Sequence, residues 1–221
     1  MLRQMSLIAV VLATTMAVAI GSASAKDQAQ ERRVLPVSTG MRVVGESSSP
    51  GAFADFCRRT AKECEPDATA PSRAALTPQL WSELNDINDT VNQTVIARSD
   101  LDVYGVVDYW TIAGKYGDCE DYALTKQLML RQRGWPMNAL LITVVRDENG
   151  EGHAILTVRT SRGDLVLDNR QPRIVAWTAT PYQFIKRQST SNPRIWMALD
   201  SSVARPIDAY VAALALPVRK R

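Results

Sequence analysis

His153 is the only histidine in the 221-residue chain, so any chemistry that needs an imidazole must use it. Of the three cysteines, Cys119 stands apart from the other two, in the segment Gly117-Asp118-Cys119-Glu120-Asp121-Tyr122-Ala123. A cysteine at a helix start has its thiolate favoured by unsatisfied backbone N–H groups and by the positive end of the helix dipole, which makes it a nucleophile near neutral pH. Its own N–H can help form an oxyanion hole. Such a thiol needs a base, and the base needs a group to orient it. Asp168, in Leu165-Val166-Leu167-Asp168-Asn169, supplies a carboxylate for that purpose. Taken singly, each residue has an ordinary role: a small buried thiol, a packed imidazole, an Asp that opens a turn. Together they have the types required of a nucleophile, a base and an orienter for acyl chemistry.

Asp118, Glu120 and Asp121 crowd this cysteine with carboxylates. In a first helical turn, acids cap the helix and complement its dipole without any metal. Beside a thiolate they repel it, and a hard cation held by their oxygens would offset that repulsion and fix the loop.

The elements that must position these residues follow from pattern. Asp118 as N-cap, Glu120 and Asp121 in the first turn and Gly134 after the last basic residues predict a helix that opens at Cys119, with Ala123, Leu124, Leu128 and Leu130 on its apolar face. Beyond Pro136 the period changes. Ala139-Leu140-Leu141-Ile142-Thr143-Val144-Val145-Arg146 is apolar and β-branched, residues 147–152 form a turn cluster, residues 153–160 alternate, and residues 164–169 are a further short strand. A three-stranded antiparallel meander results. With a two-residue turn at Ser161-Arg162, Ile155 pairs with Asp168, and His153 is the diagonal neighbour of Asp168 on the same face.

Upstream, Thr77-Pro78 opens an amphipathic helix with Leu80, Leu84, Ile87, Val91 and Val95 at helical spacing. Residues 51–62 suit a short helix and residues 65–77 a loop. Residues 26–50 are polar, Ser-rich and without period, which predicts a flexible leader. The tail from Arg170 to Arg221 reads as strands or loops closing the sheet, with a short helix in Pro206-Ile207-Asp208-Ala209-Tyr210-Val211-Ala212-Ala213-Leu214-Ala215-Leu216.

Residues 1–25 combine Arg3, an apolar stretch from Leu7 to about Ile20 and small residues at Ala23 and Ala25, the layout of a secretory signal cleaved after Ala25; the alternative, an uncleaved membrane anchor, shares the apolar run, but the run is short for a span of about 20 residues. The expected organisation is therefore a signal peptide at 1–25, a leader at 26–50 and one domain at 51–221, whose first part, 51–100, is helical. Removing the signal takes one Arg and no acid from 26 basic and 23 acidic residues, leaving a charge near +2 and no reason to expect nucleic acid as a partner. In an exported chain three cysteines suggest one disulfide and one odd thiol. Cys57 and Cys64 are the near pair, but one unbroken helix through both would hold their Cα atoms about 10 Å apart, beyond bridging distance. If they pair, the helix stops near Ala61; otherwise both are reduced.

The segments Asp108-Tyr109-Trp110, Gly117 to Ala123, Val144 to Val158 and Leu165 to Asn169 resemble the signatures of the bacterial transglutaminase-like cysteine peptidases, a family with periplasmic, adhesin-releasing members. Phe56-Cys57, Glu63-Cys64 and Phe184 to Ser189 resemble it too, in the same order, so the likeness covers most of the mature chain. Residues 111–116, Thr-Ile-Ala-Gly-Lys-Tyr, lack the Pro and Glu that many relatives carry there. The resemblance implies an α+β fold with a papain-like, transglutaminase-like core, in which the Cys119 helix packs on an antiparallel sheet. It implies Cys119 as nucleophile, His153 as base and Asp168 as orienter. It also implies calcium, with Asp118 and Glu120 as ligands and Asp121 as a further one, and Trp110 as a wall of the cleft. A periplasmic peptidase cutting a large surface adhesin under an inner-membrane cyclic-di-GMP receptor is the expected setting. Acyl transfer to an amine and a non-catalytic calcium-stabilised binding protein are the alternative readings of the same residues.

Overall fold

The structure, a computed structural model, describes residues 35–203. The expected signal at 1–25, the leader up to residue 34 and the expected helix within 206–216 lie outside the described residues. The compact unit begins at Pro36.

The first elements are β1 (Gly45–Ser47), α1 (Gly51–Arg59), α2 (Pro78–Thr94), β2 (Ile96–Ala97), α3 (Asp100–Tyr104), β3 (Tyr116–Gly117) and α4 (Cys119–Gln132). They are followed by β4 (Leu140–Arg146), β5 (Gly152–Thr160), β6 (Gly163–Leu167), β7 (Val175–Ala176), β8 (Gln183–Gln188) and β9 (Trp196–Ala198). Seven strands form one antiparallel sheet in the order β1-β9-β8-β4-β5-β6-β7, while β2 and β3 make a small parallel pair. The helix α4 packs on β5, β4 and α2. Leu124 and Leu130 of the helix and Ile142 and Leu156 of the sheet are at most 2 % exposed, so this contact forms the core. Burying such side chains stabilises the contact by about 1.5–3 kcal/mol each. The result is the expected α+β architecture.

The α2 helix begins as its sequence predicts, with the Thr77 hydroxyl accepting from the Leu80 N–H and Pro78 at the first position. The meander is also as expected. Thr160 pairs with Gly163 and Leu156 with Leu167 across a turn at Ser161-Arg162, a register that sets Ile155 opposite Asp168 one step past the strand end. Gly163 has φ +104, and a Cβ there would come 2.2 Å from the Ser38 carbonyl oxygen, so the hairpin needs a glycine at this point.

Helix α1 stops at Arg59, Thr60 breaks the helical conformation and Ala61–Cys64 forms a 3₁₀ turn. This break brings the Cys57 and Cys64 Cα atoms to 5.6 Å, and the two residues form a disulfide.

Residues 26–50 are not a flexible leader throughout. From Pro36 onward the segment lies along the sheet: Ser38 N–H donates to the Arg162 carbonyl, Met41 N–H to Asp164 Oδ2, and β1 pairs with β9. The polar composition that predicts a leader is instead consumed by backbone pairing with strand edges, and Met41 supplies a buried apolar anchor.

Candidate active site

Cys119 occupies the first position of α4, where the Asp118 carbonyl accepts from the Tyr122 N–H. Gly117 is required just before it, since a Cβ there would lie 2.8 Å from Asp121 Cβ. The Asp118 carboxylate does not cap the helix, contrary to the local expectation. It turns to accept from the Asp100 N–H at 3.2 Å, because α3 supplies a donor that the local sequence cannot anticipate. The Cys119 thiol donates to Glu120 Oε2 at 3.1 Å, and the backbone N–H of Ala154, the residue after His153, faces the sulfur. Burial first, and Glu120 next, push the thiol pKa up.

His153 and Asp168 meet inside the protein, each 2 % exposed. Nε2 of the imidazole lies 2.9 Å from Asp168 Oδ1, while Nδ1 is buried and has no hydrogen-bond partner. A proton on Nε2 shared with the carboxylate leaves the Nδ1 lone pair free to take another. Burial alone would raise the Asp168 pKa, but bonds from His153 and Tyr182 and from the Arg170 N–H outweigh it and the carboxyl is held below its usual range. Asn92 Nδ2, from α2, donates to the Asp168 carbonyl at 2.9 Å and fixes the chain there. The buried Oδ1 of Asn169 has no hydrogen-bond partner. A cleft lined by Val166, Asp168, Arg170, Ala179, Pro181 and Tyr182 opens beside the pair.

The acidic group has a membership that the sequence does not announce. Asp100, Asp118 and Glu120 each offer a carboxylate oxygen within 4.8 Å of the others. Asp121 lies outside this group; its Oδ1 accepts from the Thr111 N–H at 2.8 Å, while its buried Oδ2 has no hydrogen-bond partner. Asp100 is 1 % exposed and held by donation from the Tyr109 N–H, so two chain segments converge on the start of α4. Burial first, then Asp118, push Glu120 up to about 8; burial also pushes Asp121 up to about 7. Asp100 Oδ1 and Asp118 Oδ1 are buried without a hydrogen-bond partner. Three close carboxylates, two of them with a buried oxygen that has no partner, fit a hard cation of the calcium type, whose ligands are oxygens.

Trp110 does not line the cleft. It is 5 % exposed and packs edge-on against Phe53, with ring centroids 5.5 Å apart, and against Trp196 at 6.3 Å. Two residues were invisible to sequence reasoning. Asp100 lies in a five-residue helix without a sustained apolar period, and Tyr182, whose hydroxyl donates to Asp168 Oδ2 at 2.6 Å, has no local signal at all.

The family model described as bacterial transglutaminase-like cysteine proteinase matches residues 43–204. Among solved structures, Legionella pneumophila LapG is 26 % identical, with 55 % of this chain and 70 % of that chain covered and a TM-score of 0.46. The EGTA-treated form of that protein is 25 % identical over 58 % of this chain and 72 % of that one, with a TM-score of 0.46. The calcium-bound form is 19 % identical over 72 % and 98 %, with a TM-score of 0.45. No curated protein matches the chain.

Proposed function

The chain belongs to the bacterial transglutaminase-like cysteine proteinases, and from that premise we propose that it cleaves peptide bonds through a Cys119 acyl-enzyme, with His153 as base and Asp168 as orienter. The observation that carries this reading is the buried His153 Nε2–Asp168 Oδ1 contact at 2.9 Å with Nδ1 left unpartnered, next to a strand residue whose N–H faces the Cys119 sulfur.

In the first step His153 Nδ1 takes the thiol proton, and Sγ attacks the substrate carbonyl carbon. The Cys119 N–H at the helix start stabilises the tetrahedral oxyanion. The C–N bond then breaks, the amine leaves with the proton from His153, and a thioester remains. Water, deprotonated by the same imidazole, attacks the thioester to release the acid and regenerate the thiol. Asp168 holds the imidazole in the tautomer this sequence requires.

Asp100, Asp118 and Glu120 would hold a calcium ion, with Asp121 bracing the neighbouring chain through Thr111. When bound, calcium supplies positive charge that offsets the carboxylates around the thiol. The substrate is a protein. Its further identity as a large surface adhesin, control by an inner-membrane cyclic-di-GMP receptor, cleavage of residues 1–25 and a periplasmic location are proposed from the family likeness. No helix among the described residues is long and apolar enough to cross a membrane.

The test is Cys119→Ala. It should abolish proteolysis of an adhesin substrate and leave the fold intact, as read by circular dichroism; cleavage retained by a folded Cys119→Ala protein would refute the assignment. Products analysed with and without a primary amine distinguish hydrolysis from amine transfer.

A further inference from the structure

The two oxygens of Asp168 have separate partners. Oδ1 faces His153 Nε2 at 2.9 Å and also accepts from the Arg170 N–H at 3.0 Å, whereas Oδ2 accepts from the Tyr182 hydroxyl at 2.6 Å. The Tyr182 ring stands edge-on to the imidazole, with centroids 5.6 Å apart and planes at 63°. The same ring packs with Trp177 and Phe184 against the buried cluster Val145, Ile155 and Val166. Its position is set by β8, which begins at the next residue and pairs with β4 through Phe184 and Val145.

These contacts restrict both members of the pair. A carboxylate held by one partner can swing about its Cβ–Cγ bond and exchange its oxygens. One held on both oxygens has its plane fixed, so Oδ1 stays on Nε2. The ring edge occupies space into which the imidazole would otherwise tilt. Burial first, and then the Asp168 carboxylate, push the phenol pKa up, which keeps the hydroxyl an obligatory donor across the neutral range.

We propose that Tyr182 is a positioning residue for the catalytic pair, its hydroxyl holding the plane of the Asp168 carboxylate and its ring edge holding the His153 imidazole. The catalytic meaning of this role rests on the triad reading above, while the positioning itself does not. The hydroxyl of Tyr182 acts through Asp168, so its part of the effect vanishes when the carboxylate can no longer hold the imidazole tautomer, whereas the ring acts on the imidazole directly.

The single histidine makes the test direct, because the imidazole ¹⁵N resonances belong to His153 alone. In the full chain, at a fixed pH where the imidazole is neutral, the native protein should show the Nε2–H tautomer. Tyr182→Phe, which keeps the ring, should shift the spectrum toward a mixture of tautomers and slow alkylation of Cys119 by iodoacetamide about tenfold. Tyr182→Ala, which removes the ring as well, should do both to a greater degree. In an Asp168→Asn background Tyr182→Phe should change neither readout by more than about twofold.

Imidazole resonances that are unchanged in a folded Tyr182→Phe protein would overturn the proposal. A lowered melting temperature with native resonances would also overturn it, because Tyr182 would then be a packing residue only. Activity surviving in Cys119→Ala would sink the nucleophile assignment instead, leaving the imidazole spectra to decide the role of Tyr182 independently.

Discussion

Ala154 presents its backbone N–H to the Cys119 sulfur, and the side chain of the preceding residue, His153, reaches Asp168 at 2.9 Å. Consecutive residues of β5 thus serve the helix start with their backbone and the next strand end with their side chain. A rigid antiparallel strand keeps these two relationships in fixed proportion, as a precise site requires.

The Asp168 carboxylate should matter through tautomer and charge rather than through stability. Asp168→Asn keeps the shape but favours the wrong imidazole tautomer, and peptidase turnover should fall by about 10³-fold or more. The melting temperature should change little by comparison. Turnover within tenfold of native, measured on the same protein substrate, would contradict the role of this pair.

Asp100 should be needed for calcium as much as Asp118 or Glu120. Adding calcium to metal-free protein should raise its melting temperature, because ligand bound only by the folded state stabilises it. EGTA should reverse the gain and reduce activity. In Asp100→Asn the calcium-dependent shift should shrink sharply, whereas Asp121→Asn should retain more of it, since Asp121 lies outside the group of three close carboxylates. A calcium response in Asp100→Asn equal to that of the native chain, by scanning calorimetry, would remove Asp100 from the ligand set.

Lys126 is 0 % exposed and its ammonium has no hydrogen-bond partner. Burial pushes its pKa down from 10.5 to about 7, against the pull of Asp168 and Asp89. The folded-state pKa lies below the unfolded one, so at acid pH the lysine is charged in both states and the full penalty applies. Between about pH 7 and 10.5 the unfolded chain binds more protons, and this group's contribution to stability rises with pH. Lys126→Met should therefore stabilise the protein in urea unfolding, with a larger gain at about pH 6 than at about pH 9.5. A gain independent of pH, or a loss at both values, would show that the ammonium is not penalised by burial.

The Cys57–Cys64 bridge closes a short loop, and its removal in Cys57→Ser/Cys64→Ser should cost about 2.5 kcal/mol. Its effect should reach the site. Arg59, between the two cysteines, donates to the Trp110 carbonyl at 2.8 Å and lies 3.9 Å from the Tyr109 ring centroid, and the Tyr109 N–H in turn holds Asp100. The double variant should bind calcium more weakly than the native chain by isothermal titration; equal affinity would confine the bridge to stability.

Much of the site is legible in the chain because its determinants are local. The start of α4 at Cys119 follows from turn and charge signals within a few residues. The nearness of His153 and Asp168 follows from a two-residue turn and the two-residue period of strands, which together permit one register. The reach of a helix shows only that the chain must break between Cys57 and Cys64 if they pair; that they do pair is seen in the structure. The change of period after Pro136 marks where strands succeed the helices, and the family resemblance implies the fold class.

What only the tertiary structure decided involves partners distant in sequence and without a repeating pattern. Tyr182 reaches Asp168 because β8 pairs with β4, and Asp100 reaches Asp118 because α3 folds against the start of α4. The same holds for Pro36 to Ser47, polar in composition yet laid along the sheet, and for Trp110, turned into the core by Phe53 and Trp196. The amino-acid sequence by itself determined which residues are candidates for a nucleophile, a base and an orienter, and the elements that carry them. Long-range packing decided what surrounds them, because side-chain neighbours across an interior depend on the summed burial and hydrogen bonding of the whole chain rather than on any local periodicity.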